Sequence, residues 1–354
     1  MTLQALLNRN SNNYQTIADH CQKRFGFDIV TGQSQKDFTI TGSIVIPYLE
    51  TGTGLRLRKT LLSLLNQNID TRYSKSNIEI ILINDGSTFD SQHLDRLLQK
   101  LSSRYHLTHI TLKDNVGRAT ARNIGLREAK NEVVIFLDSD IICQPNFLKS
   151  HLLRHELSNN LALVGFQQRI RLSDGRISLN NIQQGGVPHP DYKDDFRYQK
   201  LVPLSWHKTY TYLQDNEPTL YSPLTDSNYF REYGNGRLIG PWDLPFMFLT
   251  GNASVRRNNL ISAGGFDPRY HGWGLEDTDL GARLIACGLY IIPVLAATTW
   301  HISGPTEGRR RSIEFKANFN RYQLRKKETF AAMTETAWRR IQAEDVRYLE
   351  KTEI

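Results

Sequence analysis

Two carboxylates, separated by one residue, directly follow a strongly apolar segment of the chain. Asp138 and Asp140 come after residues 133–137, whose Val, Val, Ile, Phe and Leu side chains predict a buried strand. In the crevice at the carboxyl end of a parallel strand, two such acids repel each other unless a cation or a proton intervenes. A divalent metal that carries a nucleotide diphosphate would explain the pair. The alternative is an ordinary polar turn, in which Asp and Ser are common.

A further acid and two arginines follow other predicted elements. Asp85 ends a predicted strand within the sequence Asn-Asp-Gly-Ser, which also suits a tight turn. At the sheet crevice its carboxylate would accept a hydrogen bond from a base or a ribose. Arg118 and Arg122 are four residues apart and therefore share one face of a predicted helix over 117–130. There they could reach an anionic ligand, or they could form a solvated face.

Three acids within four residues open another predicted helix, over 276–287. Glu276, Asp277 and Asp279 suit this place because the helix dipole favours negative charge at the amino end, so capping alone could explain them. Capping would also tend to keep a carboxylate ionised, as a general base requires. Trp273 lies between two glycines and suits a stacking platform for a sugar face, although single tryptophans are more often core residues.

A histidine and a basic segment come near the end of the chain. His301 ends an apolar segment and becomes a ligand candidate if a metal near Asp140 lacks a nitrogen donor. Residues 309–327 contain eight Lys or Arg and one acid, within a chain of net charge +8. This local concentration argues against a global nucleic-acid surface. It suits a docked helix with a solvated basic face, a loop over a diphosphate, or a peripheral membrane contact.

The composition describes a globular chain with a sizeable core. The 354 residues are 39% hydrophobic and 23% charged, and no segment is apolar enough to span a membrane. Cys21, Cys143 and Cys287 form no disulfide or zinc pattern, which fits a reducing compartment. The amino-terminal segment lacks the apolar core of a signal peptide. We therefore expect a cytoplasmic protein, with the inner face of the membrane as a second location if the basic segment contacts lipid.

Strands and helices alternate with short loops, which predicts an α/β fold with a mostly parallel, Rossmann-like sheet flanked by helices. Predicted strands span 44–46 (stopped by Pro47), 78–83, 106–112, 133–137, 161–170, 176–179, 248–255, 290–294 and 297–302; predicted helices span 55–67, 94–105, 117–130, 145–156 and 276–287. Residues 173–175 are interpreted as a hairpin turn. Residues 180–247 lack periodicity and suit a lid or an acceptor-side extension. From residue 312 a helical tail is expected.

Five motifs in this order resemble family 2 glycosyltransferases of the GT-A fold: Ile-Val-Ile-Pro at 44–47, Asn-Asp-Gly-Ser at 84–87, the Asn115/Gly117/Ala121-Arg122-Asn123 helix, Asp-Ser-Asp at 138–140 and Trp-Gly-Leu-Glu-Asp at 273–277. The last block is also similar to galactosyltransferases and bacterial chondroitin-type polymerases. The resemblance implies an appendage (1–40), a GT-A domain (41–304, with a nucleotide-binding half over 41–145 and an acceptor-binding half over 146–304) and a basic helical tail (305–354). Leu275 stands where galactosyltransferases often have glycine, which leaves the donated sugar open.

The resemblance also implies a role for each matching residue. Asp277 is expected to be the catalytic base, and Glu276 beside it to bind the acceptor or the sugar and to share in catalysis. Acceptor binding is expected at Trp273, Gly274 and Glu276, and a Mn²⁺ or Mg²⁺ site at Asp140, His301 and Asp138. The expected donor-binding residues are Pro47, Tyr48, Glu50, Asp85, Arg118, Arg122, Asp138, Ser139 and Asp140, with Asp85 on the uracil.

The activity so implied is inverting, metal-dependent transfer from a UDP-sugar to a hydroxyl of a glycan, a lipid-linked glycan or a peptide side chain. A nucleotidyltransferase is one alternative, but it normally has a Gly-rich, lysine-containing loop after the first strand, and residues 51–58 are a poor version of it. A catalytically silent carbohydrate-binding or scaffold protein is another. The presence of Asp138, Asp140 and Asp277 argues against a silent protein. No nucleic-acid partner is expected.

Overall fold

The computed structural model describes most of the chain: residues 1–10, 14–33, 38–50, 53–87, 92–192, 195, 220–221, 238–240, 244–304, 308–344 and 346–354. Most of the segment 180–247, for which a lid or acceptor-side extension was expected, lies outside these residues. That expectation therefore stays a prediction.

Apolar segments supply the strands. They are β1 (Gly42–Tyr48), β2 (Ile78–Asn84), β3 (His106–Leu112), β4 (Val133–Leu137), β5 (Ile141–Ile142), β6 (Leu161–Ile170), β7 (Leu220–Tyr221), β8 (Leu238–Gly240), β9 (Asn252–Arg256), β10 (Tyr290–Ile302) and β11 (Tyr348–Glu353). The residues of β2 and β4 are buried throughout. Burial on both faces explains their continuous apolar sequence.

Nine of these strands form one sheet in the order β11-β3-β2-β1-β4-β9-β6-β10-β5, and β7 pairs with β8 separately. β1 is parallel to β2 and β4, β2 is parallel to β3, and β6 is parallel to β10. β9 runs antiparallel to both β4 and β6, so β6 and β10 share the direction of the first four strands. The predicted α/β fold with a mostly parallel sheet is thus confirmed.

Helices flank the sheet and join its strands. They are α1 (Leu3–Arg9), α2 (Gln15–Phe25), α3 (Leu55–Leu65), α4 (Thr71–Asn77), α5 (Gln92–Ser102), α6 (Arg118–Glu128), α7 (Phe147–Leu157), α8 (Leu179–Gln183), α9 (Arg257–Ser262), α10 (Glu276–Ala286), α11 (Gly308–Lys327), α12 (Phe330–Thr334) and α13 (Ala337–Ala343). None of the described helices combines the length and the apolar character needed to cross a lipid bilayer.

Pro47 lies inside β1 and does not stop it, contrary to the prediction. β1 pairs with β2 as far as Tyr48, but its pairing with β4 ends at Val45. At Pro47 the strand therefore has a neighbour on one side, as an edge strand does. A missing backbone donor is tolerated at such a position.

The hairpin predicted at residues 173–175 is wrong. β6 is followed instead by a 3-10 turn (Gly175–Ile177) and by α8. The Asp174 side chain accepts a hydrogen bond from the Arg176 amide at 2.9 Å, and the Ser178 side chain accepts one from the Asn181 amide at 3.2 Å. Asp and Ser cap helical turns here, a role that local sequence does not distinguish from a hairpin turn.

Two strands near the carboxyl terminus also differ from the predictions. Segments 290–294 and 297–302 form the single strand β10, whose pairing with β6 shifts register between Val294 and Thr299. β11 was not predicted, because Tyr348–Glu353 is mostly polar and exposed. It pairs antiparallel with β3 at the edge of the sheet, so a strand follows the helical tail.

The first and last parts of the chain meet beside the sheet. The Leu3 amide donates to the Glu328 carbonyl at 3.0 Å, and the Phe330 amide donates to the Met1 carbonyl at 2.9 Å. Leu3 is fully buried, and the Asn10 side chain donates to the Ile285 carbonyl at 2.7 Å. The start of the chain therefore packs against α10 and the segment after α11.

Candidate active site

Arg122 links two of the acids singled out from the sequence. It is 2% exposed, and its Nη2 donates to Asp138 Oδ1 while its Nη1 donates to Glu276 Oε1, both at 2.9 Å. α6 thereby connects the end of β4 to the start of α10. Arg118 Nε lies 3.8 Å from Glu276 Oε1, but this side chain is 42% exposed. Of the two arginines, Arg118 is therefore the one that can reach an anionic ligand without breaking a buried ion pair.

Burial and charge act against each other at Asp138. Burial alone would raise the pKa of this carboxyl, but the Arg122 and Arg118 guanidinium groups outweigh it and hold the pKa below the ordinary value. Asp138 therefore stays ionised at neutral pH. Its Oδ1 accepts the hydrogen bond from Arg122 Nη2.

Asp277 has the opposite electrostatic balance. It is half-buried in the first turn of α10, where its Oδ1 accepts a hydrogen bond from the Thr278 amide at 2.8 Å. Burial and the neighbouring Glu276 charge raise the pKa of Asp277 to about 7, although Arg122 and Arg118 partly oppose them. A carboxylate with a pKa near the working pH can take up a proton during a reaction and release it afterwards.

Asp140 and His301 form a second polar centre. Asp140 Oδ2 lies 3.4 Å from His301 Nε2, and the two side chains are 26% and 29% exposed. The pairing of β10 with β5 brings them together, because the Ile302 amide donates to the Asp140 carbonyl at 2.9 Å. Burial lowers the pKa of His301, but Asp140 and Asp138 raise it, and the net shift is upward. Within the described part of the chain, no group of three or more His, Cys, Asp or Glu side chains converges as a metal site.

Residues expected in the nucleotide pocket make contacts within the fold. Both carboxylate oxygens of Asp85 accept hydrogen bonds, from the Val116 amide at 2.7 Å and the Gly117 amide at 3.1 Å, and burial raises its pKa to about 6. The Tyr48 hydroxyl lies 2.7 Å from His109 Nε2.

Glu50 accepts a hydrogen bond from the Leu57 amide at 3.2 Å. The Ser139 carbonyl accepts one from the Thr60 hydroxyl at 2.8 Å, and Pro47 is half-buried in β1. The donor-binding roles of these residues stay predictions.

The loop before α10 presents Trp273. This side chain is 38% exposed, and its ring lies 5.7 Å from that of Phe315, centroid to centroid. Leu275 follows with a positive φ of 74°, the conformation that glycine adopts readily. The roles of Trp273 and Gly274 in acceptor binding likewise stay predictions.

The basic tail is a docked helix. Phe319 and Tyr322 of α11 are buried in the core. Arg325 is buried as well, and its Nε lies 2.9 Å from Asp279 Oδ1 and 3.2 Å from Asp267 Oδ2. Part of the predicted solvated basic face is therefore a buried ion-pair network. The side chains of residues 309–311 lie outside the described residues, so a loop over a diphosphate and a membrane contact both stay predictions.

Sequence reasoning missed the residues that hold this site together. Asp279 was noted as a helix-capping acid, yet it is fully buried and pairs with Arg283 at 2.8 Å. The spacing of Asp279 and Arg283 by four residues was an available signal for this pair. The contacts of Asn318 with the His271 carbonyl and of Arg325 with Asp279 gave no local signal, because these partners are more than forty residues away in the chain.

Asp138 and Asp140 follow a strand of an α/β sheet, and Arg122 joins Asp138 to Glu276, the neighbour of Asp277, an arrangement that suits a group-transfer enzyme. The chain belongs to glycosyl transferase family 2, whose family model matches residues 43–222. A second family model, described as the N-terminal domain of galactosyltransferase, matches residues 245–302. The resemblance stated from the sequence is confirmed.

Relatives of the chain include polysaccharide synthases. It is 29% identical over 257 residues to the uncharacterized glycosyltransferase YfnE of Bacillus subtilis (strain 168), covering 70% of this chain and 61% of that protein. It is 27% identical over 311 residues to the chondroitin synthase of Escherichia coli, covering 85% and 41%. The hyaluronan synthase of Pasteurella multocida is 26% identical over 268 residues, covering 74% and 24%. The chain thus spans less than two thirds of the length of each.

The fold is also similar to that of a solved structure. The crystal structure of GalNAc-T7 with UDP, GalNAc and Mn²⁺ has a TM-score of 0.53 and 19% sequence identity, covering 87% of this chain and 56% of that one. This similarity supports the predicted GT-A type of fold.

Proposed function

We propose that the chain transfers a sugar from a UDP-sugar to an acceptor hydroxyl with inversion at the anomeric carbon. The observation that carries the proposal is Asp277, a half-buried carboxylate whose pKa is raised to about 7. It lies next to Glu276, which Arg122 ties to the carboxyl end of β4. In this proposal residues 41–145 bind the nucleotide and residues 146–304 bind the acceptor.

Asp277 serves as the general base. It takes the proton of the acceptor hydroxyl as that oxygen forms its bond to the anomeric carbon, while the bond from this carbon to the diphosphate oxygen breaks. The electron pair of the broken bond leaves with UDP. Burial makes Asp277 a better base than an exposed aspartate, since its proton affinity is raised.

Charged side chains near the leaving group stabilise the transition state. Arg118 is exposed enough to approach the diphosphate, whereas both terminal nitrogens of Arg122 donate to Glu276 and Asp138. We therefore assign Arg118 to the donor, and Arg122 to fixing the two carboxylates beside it. Fixed charges cost little reorganisation when negative charge develops on the leaving group.

The residues present fit a divalent cation. Asp140 and His301 offer one oxygen and one nitrogen donor 3.4 Å apart, and both side chains are partly exposed. Magnesium-type sites often use only one or two protein ligands and complete their coordination with phosphate oxygens and water. Asp140 and His301 would hold Mn²⁺ or Mg²⁺, with Asp138 nearby. When bound, the ion would neutralise charge on the departing diphosphate.

The names of similar proteins support the proposed donor and acceptor classes. GalNAc-T7 is described with UDP and Mn²⁺, and two relatives are named as chondroitin and hyaluronan synthases. These names favour a UDP-sugar donor and a glycan acceptor, with the exposed Trp273 ring as a surface for a sugar face.

Release of UDP from a panel of UDP-sugars, with Mn²⁺ or EDTA and with oligosaccharide acceptors, tests the proposal. We expect one or a few donors to support metal-dependent release that acceptors accelerate. Asp277→Asn should bind UDP normally and lose transfer, whereas Asp114→Asn, an exposed acid on another loop, should stay active. The absence of UDP release from every donor would favour a silent binding protein, and release of pyrophosphate from nucleoside triphosphates would favour a nucleotidyltransferase.

A further inference from the structure

We propose that α11 positions the loop that carries the catalytic base, and that Asn318 is the central positioning residue. The catalytic loop comprises residues 267–277, which end with Glu276 and Asp277 in the first turn of α10. This inference rests on the function proposed above. It gives the carboxyl-terminal helix a role in catalysis, although the helix itself supplies no group to the reacting atoms.

Asn318 binds the backbone of the catalytic loop at three points. Its Nδ2 lies 3.0 Å from the His271 carbonyl, 3.3 Å from the Trp273 carbonyl and 2.9 Å from the Gly274 carbonyl. The side chain is 4% exposed, so water does not compete effectively for these bonds. A side-chain amide has two N–H donors, and three carbonyl oxygens therefore share them. One amide group thus fixes the course of the backbone on both sides of Trp273.

Two neighbours of Asn318 on α11 hold the same loop. Glu314 Oε2 accepts a hydrogen bond from the Trp273 amide at 3.0 Å. Phe315 packs against the Trp273 ring. The loop lies so close to α11 that a Cβ added at Gly272 would come within 2.5 Å of Glu314 Cδ.

Buried ion pairs anchor α11 at both ends of the loop. Arg325 contacts Asp267, where the catalytic loop begins, and Asp279, which lies just beyond its end. Asp279 is fully buried and also pairs with Arg283 of α10. Moving the base of the loop away from α11 would therefore break the buried ion pairs of Arg325 with Asp267 and Asp279, which is costly.

The consequence is geometric control of Asp277. Leu275 lies between Gly274, whose carbonyl binds Asn318, and Glu276, and it has the left-handed conformation. The direction of the first turn of α10 therefore depends on the backbone that α11 contacts. A displacement of about 1 Å at a catalytic group can cost on the order of 100-fold in rate. Loss of Asn318 should therefore lower kcat without removing any group that touches substrate.

Asn318→Ala tests the inference, with Asn320→Ala as the matched control. Asn320 lies two residues further along the same helix and is exposed, so its removal leaves the loop untouched. We expect Asn318→Ala to lower kcat on the order of 10- to 100-fold and to leave the Kd for UDP unchanged. Amide hydrogen exchange should become faster in peptides covering 270–277 and stay unchanged in peptides covering 133–137. Asn320→Ala should change neither measurement.

Glu314→Ala provides a second variant in case Asn318→Ala folds poorly, because Glu314 is only half-buried. It should shift loop exchange and kcat in the same direction by a smaller factor. Unchanged exchange in 270–277 would overturn the inference, as would faster loop exchange with an unchanged kcat. Faster exchange in the loop and in 133–137 alike would indicate general destabilisation and would also overturn it. Amide hydrogen exchange in the loop is measured without any reaction, so it does not depend on the proposed function. The proposed function itself would be refuted if Asp277→Asn kept full transfer activity.

Discussion

The left-handed backbone of Leu275 makes an unusual prediction about stability. Leu275 has φ 74° and ψ −3°, and among the described residues it is the only one other than glycine with a positive φ. Its side chain is 2% exposed and belongs to the hydrophobic core. In this conformation a Cβ lies too close to a carbonyl oxygen, which costs about 1–2 kcal/mol relative to glycine.

Two truncations of Leu275 separate the core contacts from the backbone strain. Leu275→Ala removes the buried side chain but keeps Cβ, and the free energy of unfolding should fall by about 2–5 kcal/mol. Leu275→Gly removes the strain as well, while the greater freedom of glycine in the unfolded chain opposes this gain by about 0.5–1 kcal/mol. We therefore expect the glycine variant to be more stable than the alanine variant by about 0.5–1 kcal/mol.

Leu280 provides the control, because it is fully buried inside the regular part of α10. At that position glycine should be less stable than alanine by about 1 kcal/mol. Urea denaturation followed by far-UV circular dichroism measures all four variants. The order of the two truncations should reverse between Leu275 and Leu280. If alanine is the more stable replacement at both positions, the left-handed conformation does not carry the strain assigned to it.

Three other predictions follow from the site. Only ionised Asp277 accepts a proton, so kcat/KM should rise about tenfold per pH unit below pH about 7 and level off above it. A pH profile that is flat from pH 5 to 9 would contradict the role of Asp277 as the base. Asp140→Ala should abolish the dependence of UDP affinity on Mn²⁺ in calorimetric titrations; an unchanged dependence would place the cation elsewhere. Asp279→Ala leaves two buried arginines without their shared carboxylate and should lower the free energy of unfolding by about 3–5 kcal/mol. Glu353→Ala, which breaks an exposed pair, should change it by less than about 1 kcal/mol, and equal effects in the two variants would contradict this account.

Local apolar pattern was enough to predict the first half of the sheet. The bounds of β3 match the predicted 106–112, and those of β2 differ from 78–83 by one residue. β2 is buried throughout and its sequence is almost entirely apolar, whereas β3 alternates polar and apolar residues and is only partly buried. β11 escaped prediction because its stability comes from pairing with β3, a contact between segments more than two hundred residues apart.

The acids of the candidate site stand out in the sequence, but the side chains that they contact do not. Asp138, Asp140 and Asp277 stand at the ends of recognisable elements, which is where ligands bind in α/β sheets. Arg122 lies 154 residues from Glu276, and a local view of α6 shows only that Arg122 shares a face with Arg118. Whether Arg122 is solvated or forms buried ion pairs depends on how α10 packs against α6, and the local sequence does not contain this information.

The last strand of the chain has a practical consequence for solubility. β11 covers β3, whose backbone N–H and C=O groups would otherwise face solvent along the rim of the sheet. A protein shortened to end before Tyr348 would present that rim, with β3 and its apolar neighbours, to other molecules. Open edges of this kind recruit strands from neighbouring chains. Shortened versions should therefore self-associate and precipitate, even when every catalytic side chain is retained.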